Sequence, residues 1–386
     1  MVLFLKPERG AITMLIFRKF KPYAAKLLPV VTALLLSCSG YHSAMASQNV
    51  VIDMSKPISA AQLAAYNSDG IAIDFDNTPV LREVYVTDKS GITAYQLPNG
   101  AAKKVQDYPF SAKLEVIEDN KEWYGIRESV FRQYYKKGTE IESVKWEKIY
   151  VKKSQTGLFN TIVLKPNDLN IISYLSVGEN SESFETDKPL NKYLKFELID
   201  KTLFEKKRPL AVNFLSKNNP GVSKKRGVLS IPTASKVVTF TDNDIDNDGY
   251  EIFDYTGQIN VLKQHLVNGH YWESYDYKMI DKNTGKTTQT FIDYPYISPN
   301  KKYIIAAYAN PYEQYTDLIL YKIDGKEISP IMIAGFKNWM PATEPSDIFW
   351  ASDGYLYLAV THSSVFWKED GSLNDQFQYM RIKIDL

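Results

Sequence analysis

The sequence predicts an all-β chain behind an export leader, and three observations carry that expectation. Aromatic residues are abundant, with 27 Tyr, 18 Phe and 6 Trp in 386 residues, and such side chains suit the pleated, half-buried surface of strands. Short alternating or β-branched runs recur, among them Ile71–Asp76, Glu83–Asp88 and Tyr303–Tyr308. Turn signals punctuate them, including Asn99-Gly100, Asn268-Gly269 and Asp324-Gly325.

The leader comes first. Arg18, Lys19, Lys21 and Lys26 precede the apolar run Leu27–Leu36, and Ala44-x-Ala46 follows. A charged start, a short apolar centre and a small-residue cleavage pattern are the parts of a signal peptide. The run is too short to span a bilayer, which takes about 20 apolar residues. The single cysteine, Cys38, stands in Leu35-Leu36-Ser37-Cys38, which resembles a bacterial lipoprotein lipobox. Cleavage before Cys38 would give a lipid-anchored protein, and cleavage after Ala46 a soluble one. Either way residues 1–46 are leader, the protein is exported to the periplasm, and its folded part has no disulfide. Net charge is +1 overall; residues 1–46 hold six Lys/Arg and one acidic residue, which leaves 40 basic against 44 acidic. That balance argues against a nucleic-acid partner, which needs a basic face.

About two domains follow, at ~100–200 residues each. Ser59–Asn67 suits a short helix. From residue 80 to 157, five or six short strands are spaced as in a small barrel. Val84-Tyr85-Val86, Leu114-Glu115-Val116-Ile117, Trp123-Tyr124-Gly125-Ile126 and Ile149-Tyr150-Val151 resemble the core strands of bacterial Src-homology-3-like (SH3-like) domains. The resemblance covers about 70 residues and implies an envelope ligand such as a cell-wall peptide. Thr93-Ala94-Tyr95 replaces the family's usual first-loop motif, and Ser129–Ser143 is an insertion. The insertion places Phe131, Tyr134 and Tyr135 beside Arg132, Lys136 and Lys137, which suits either a partner-binding loop or an extended hairpin.

In the C-terminal half, residues 169–386, a strand ending recurs: Lys195–Asp200, Asp276–Asp281, Leu320–Asp324 and Arg381–Asp385. Ile297–Ala307 and Trp350–Val360 each place a Ser-containing turn before an apolar strand. These echoes resemble the blades of a WD-repeat-like β-propeller, at about four to five blades of ~40–50 residues. A generic antiparallel sandwich is the competing architecture. The fold class expected is therefore all-β: a small SH3-like barrel plus a β-propeller-like domain, after a cleaved signal peptide.

Two features could carry chemistry. Asp244, Asp246, Asp248 and Gly249 form D-x-D-x-D-G, hard oxygen ligands around a tight loop that suit a structural Ca2+. Tyr255 stands where an EF-hand requires Glu, and a solvated hairpin is the alternative. Aromatic residues cluster in His270–Tyr277, Ala309–Asp317 and Ser363–Ser372. Trp272, Tyr312, Tyr315, Phe366 and Trp367 are the expected ligand anchors if those segments share one face; inter-blade packing is the alternative. His42, His265, His270 and His362 lack zinc-site spacing. No nucleophile elbow, Walker loop or dinucleotide fingerprint occurs. The expected function is an exported, non-enzymatic binding or inhibitor protein of the bacterial cell envelope that grips a protein or cell-wall ligand. A periplasmic toxin-immunity protein is one specific form. The alternative is a cell-wall or polysaccharide-acting enzyme with Asp/Glu in a propeller cleft.

Overall fold

The computed structural model describes residues 50–52, 75, 78–136, 139–190, 192–218, 221–311, 313–368 and 370–386. The leader with Cys38 and Ala46, the segment Ser59–Asn67, most of Ile71–Asp76 and the anchor Tyr312 lie outside these, as do the side chains of Tyr134 and Tyr135. The chain divides into two compact units between Thr156 and Gly157. The fold is all-β, with five sheets, and among the described residues one α-helix accompanies them.

The N-terminal unit holds β1 (Val50–Ile52), β2 (Arg82–Val86), β3 (Ile92–Tyr95), β4 (Lys104–Tyr108), β5 (Lys113–Asp119), β6 (Trp123–Lys136) and β7 (Thr139–Lys152), with β8 (Thr156–Gly157) at its boundary. They form sheet I in the order β4-β3-β7-β6-β5-β2-β8, and β1 pairs parallel with β6. The sheet does not close into a barrel. It does bend around its own core: Val84, Ala94, Val105, Leu114, Ile126 and Ile149, one from each of β2 to β7, share one buried cluster. Alternation explains the bending, since Leu114 and Val116 point inward while Glu115 stays outside and pairs with Arg127. The Ser129–Ser143 insertion is a hairpin extension rather than a loop. β6 and β7 run on in register from Ser129↔Trp146 to Lys136↔Thr139.

The C-terminal unit holds β9 (Ile171–Val177), β10 (Asn180–Pro189), β11 (Tyr193–Ile199), α1 (Lys201–Lys207), β12 (Ala211–Val212), β13 (Leu215–Ser216), β14 (Ser223–Lys225), β15 (Val228–Pro232) and β16 (Val237–Thr241). β17 (Glu251–Ile259), β18 (Gln264–Tyr271), β19 (Tyr275–Asp281), β20 (Thr287–Phe291), β21 (Tyr296–Ile297), β22 (Tyr303–Asn310) and β23 (Tyr315–Asp324) follow. β24 (Glu327–Phe336), β25 (Trp339–Pro341), β26 (Ile348–Ala351), β27 (Leu356–His362) and β28 (Gln378–Asp385) complete it. Sheet II is β14-β15-β16, and sheet III is β13-β17-β18-β19-β20. Sheet IV is β10-β9-β24-β23-β22-β21, and sheet V is β11-β28-β27-β26-β12 with β25 on β27.

Side-chain parity stacks these four sheets face on face. Leu229 and Ile231 of sheet II meet Phe253, Val267 and Ile280 of sheet III. The opposite parity of sheet III, Leu266, Met279 and Phe291, meets Ile304, Ala306 and Tyr321 of sheet IV. Ile305, Ala307, Leu318 and Leu320 of sheet IV then meet Trp350, Leu356, Leu358 and Met380 of sheet V. Sheets III and IV are thus buried on both faces. This is why strands such as Tyr303–Asn310 read as continuous apolar runs rather than alternating ones. The far face of sheet V is covered by α1, whose fully buried Phe204 packs on Phe349 and Tyr357. Asp200 starts that helix by accepting from Leu203 N at 2.6 Å, and Lys206 and Lys207 sit in its last turn, where the helix dipole favours cations.

The four recurring endings fall in β11, β19, β23 and β28. The first and last pair directly with each other, Leu194↔Ile384 to Ile199↔Tyr379, so the C-terminal strand completes a sheet begun near the start of this unit. Asn268-Gly269 is not a turn: both residues lie inside β18. A Cβ at Gly269 would come within 2.5 Å of Tyr271 Oη and 2.8 Å of Asp276 Oδ1, so those side-chain ends would have to shift to admit one.

Candidate functional site

The structure brings the three predicted aromatic segments to one end of the sheet stack. Trp272 sits in the turn between β18 and β19, and Tyr315 opens β23 after the turn from β22. The ring of Tyr275, at the start of β19, meets that of Tyr308, near the end of β22, edge-on at 5.5 Å. Ala309 shares a buried cluster with Met340 and Phe366, which places the Ser363–Ser372 segment at the same end. Phe366 itself is 5% exposed and packs on Trp367 at 5.3 Å. It therefore serves as core there, and Trp272, Tyr315 and Trp367 are the partly exposed members.

A cavity of about 440 Å3 opens here between sheets III and IV, lined by Tyr275, Phe291, Tyr308, Asp317, Ile319 and Ile333 among others. Register defines its walls. Tyr308 is paired with Asp317 and Asp317 with Gly335 across sheet IV, so these residues form one row on the face toward sheet III. The neighbouring row is Ala306, Ile319 and Ile333, an apolar floor. Asn310 and Tyr315 pair at the rim. Asp276 also borders the cavity, but its carboxylate belongs to the other face of sheet III. There Tyr271 Oη donates to it at 3.2 Å and Lys278 forms an ion pair with it.

One acid, Asp317, lines the cavity, and a second, Asp293, lies behind Tyr275. Asp317 Oδ2 accepts from Asn310 Nδ2 at 3.2 Å. Burial pushes the Asp317 carboxyl up, opposed by that hydrogen bond and aided by the nearby charge of Glu313. Asp293, just past β20, accepts from Tyr275 Oη at 2.8 Å and from Tyr294 N at 2.5 Å. It is half-buried by surface area, yet tyrosines crowd its carboxyl, and that desolvation pushes it up to about 7. The crowd is a ladder of edge-on and tilted rings: Tyr308 on Tyr275, Tyr275 on Tyr277, Tyr277 on Tyr294, Tyr294 on Tyr296. Burial raises the phenols of Tyr275, Tyr277, Tyr294 and Tyr296, that of Tyr294 to about 12. Among the described residues, neither Asp293 nor Asp317 has a cationic partner within salt-bridge distance. Sequence reasoning missed Asp293, Tyr275 and Asp317, although Tyr275 and Asp317 stand within aromatic segments it had singled out.

The Asp-rich loop is built differently. Asp244, Asp246 and Asp248 are exposed, and the loop is shaped by its asparagines. Asn243 Nδ2 donates to Gly249 O at 2.8 Å, and Asn247 Oδ1 accepts from Gly249 N at 2.9 Å. Among the described residues no group of three acidic, histidine or cysteine side chains converges as a metal-ligand set. His265 is buried and bonded through Nδ1 to Tyr255 Oη at 3.0 Å.

The N-terminal unit has its own polar depression of about 570 Å3, lined by Thr93, Tyr95, Asp107, Tyr108, Lys152 and Gln155 among others. It includes the residues that replace the expected first-loop motif. Tyr95 meets Trp123 edge-on at 5.7 Å. No helix among the described residues is long and apolar enough to cross a membrane. Compared with family models, with curated proteins and with solved structures, the chain matches none.

Proposed function

We propose that this is an exported binding or inhibitor protein of the bacterial cell envelope, and that it grips its ligand at the aromatic end of the sheet stack. On this reading the four sheets of the C-terminal unit are the blades of an irregular, propeller-like array. Sheet I is then an opened relative of the SH3-like barrel. The leader delivers the chain to the periplasm, with Cys38 as its lipid anchor or Ala46 as its cleavage point. The observation that carries the proposal is the cleft itself. Tyr275, Tyr308 and Asp317 converge from two sheets on a cavity whose rim holds partly exposed aromatics. Apolar walls with a few converging polar groups are the usual make-up of a recognition site.

A second reading has one observation in its favour. A carboxyl raised by burial, like that of Asp317, is what a general acid in a glycan-cleaving site requires. Its natural counterpart among the lining residues, Asp276, is already engaged by Tyr271 and Lys278, which favours binding over hydrolysis.

The test uses the leaderless protein and its Tyr308→Ala variant as parallel baits in an envelope extract of the host. A protein or glycan retained by the wild type and released by the variant supports the reading. Equal retention by both removes the cleft from recognition, and a glycan returned shortened moves the enzyme ahead.

A further inference from the structure

We propose that the cleft between sheets III and IV receives a cationic side chain, a lysine ammonium or arginine guanidinium, presented by a protein partner. The inference deepens the binding reading above and rests on it. It follows from how acids are treated elsewhere in the chain. Partly buried carboxylates are matched with cations at Glu115 with Arg127, Glu118 with Lys148, Asp242 with Lys224, and Asp353 with Lys207, and the buried Asp281 is instead held by the N–H groups of Asn283 and Thr284. Asp317, which lines the cleft, lacks such a match among the described residues, although packing shields it. Leaving a desolvated carboxylate without a counter-charge is unfavourable, and a cation delivered by a ligand would supply the missing partner.

The walls fit the same ligand. Asp317 has one oxygen held by Asn310, and its other oxygen takes no hydrogen bond from the described residues. Tyr308 stands beside it in register, and the ring of Tyr275, whose hydroxyl is given to Asp293 behind it, closes on Tyr308 at 5.5 Å. Tyrosine rings next to a carboxylate favour a cation electrostatically, most strongly where water is thinned. Phe291, Ile319 and Ile333 line the cavity below, which suits the methylene stem of lysine or arginine rather than a sugar ring studded with hydroxyls. Glu313, in the turn above, adds negative charge near Asp317, and the field steers cations inward. The partly exposed Trp272, Tyr315 and Trp367 at the same end extend the surface beyond one side chain. That extent favours a folded partner over a free amine.

The experiment measures binding of a fluorescent lysine- and arginine-rich peptide to the leaderless protein. The same peptide with norleucine in place of the basic residues and a chito-oligosaccharide serve as comparison probes. The basic peptide should bind, weaken with added salt, and weaken about tenfold or more in Asp317→Asn and in Tyr308→Ala, with Asp317→Glu restoring part of the loss. Unchanged thermal melting of the variants separates lost contacts from lost folding. Equal binding of the norleucine peptide, indifference to Asp317→Asn, or no binding of the basic peptide overturns the cation inference. The broader reading fails on a different result: an extract ligand held equally by wild type and Tyr308→Ala. Chito-oligosaccharide binding that is lost in Tyr308→Ala would leave that reading standing with a glycan as its ligand.

Discussion

Asp242 and Asp293 belong to the same unit, and their carboxylates live under opposite conditions. Asp242 accepts from Phe253 N at 2.9 Å through one oxygen and meets Lys224 Nζ at 2.8 Å through the other. Asp293 has two neutral donors, Tyr275 Oη and Tyr294 N, and tyrosine rings where a lysine would stand. The first arrangement ties the end of β16 to β17 and β14. The second holds a carboxyl near neutrality, at about 7, where its charge responds to what approaches. Charge pairing fastens the first carboxylate, and neutral donors with packed rings hold the second.

Replacing Asp293 should give the largest effect. Its folded value of about 7 stands above the ordinary 3.8. Between those values the folded protein keeps a proton that the unfolded chain has released. Stability therefore falls as pH rises through that window and is lowest above it. The penalty is on the order of 3–4 kcal/mol for a shift of about three units. Asp293→Asn removes the titration, so the variant should unfold later in urea than the wild type at pH 8 and at nearly the same point at pH 4. A wild type whose lead or lag relative to the variant is the same at both pH values would show that Asp293 is solvated after all.

Tyr275→Phe asks the next question, whether the phenol supports the charged form. Deleting the donor leaves an oxygen of Asp293 without its hydrogen bond, which should lower stability by about 1–3 kcal/mol at pH 8. The loss should shrink at pH 5, where the carboxyl is mostly protonated in the folded state. A loss of equal size at both values would make the phenol a packing group only.

Much of the unit containing both acids was legible in the sequence, and the reasons for the rest are physical. Period-two patterning gave the strands and turn chemistry gave many of their ends, because both are local. The aromatic segments were visible as clusters of bulky residues beside turns. The cleft was not visible, because Tyr275, Tyr308 and Asp317 lie on three different strands, and Asp293 behind them lies beside a fourth. Only the pairing of Tyr308 with Asp317 and the stacking of sheet III on sheet IV make them neighbours. Asn268-Gly269 misled because the same dipeptide serves a tight turn and, here, a close approach of Tyr271 to the backbone. Phe366 was mistaken for a free anchor because a loop residue's burial depends on what folds over it, in this case Ala309 and Met340.

Lys224→Met probes the paired side of the comparison and should cost less. Lys224 meets Asp242 at 2.8 Å and Asp254 at 3.2 Å, with 31% of its side chain exposed. A partly exposed pair of this kind contributes about 0–1 kcal/mol and is screened by salt. The amine also donates to Phe253 O at 2.7 Å, so the loss should sit near the top of that range, about 1 kcal/mol in low salt. A cost of several kcal/mol would mean that Asp242 is as isolated from water as Asp293.

The smallest effect is expected from calcium. Asp244, Asp246 and Asp248 are spaced like ligands, yet all three are exposed, and asparagine hydrogen bonds to Gly249 already satisfy the loop. An ion would have to draw the three carboxylates together against that arrangement and against their mutual repulsion. Because ligand stabilisation grows with the ratio of free ligand to dissociation constant, a weak site moves the melting temperature little. Excess Ca2+ and excess chelator should each leave the wild type's melting temperature within about 1 °C. A rise of several degrees with Ca2+, abolished in Asp246→Asn, would show that the loop closes on an ion. The contrast between ion-paired and neutrally held carboxylates would then need a third class, acids that wait for a metal.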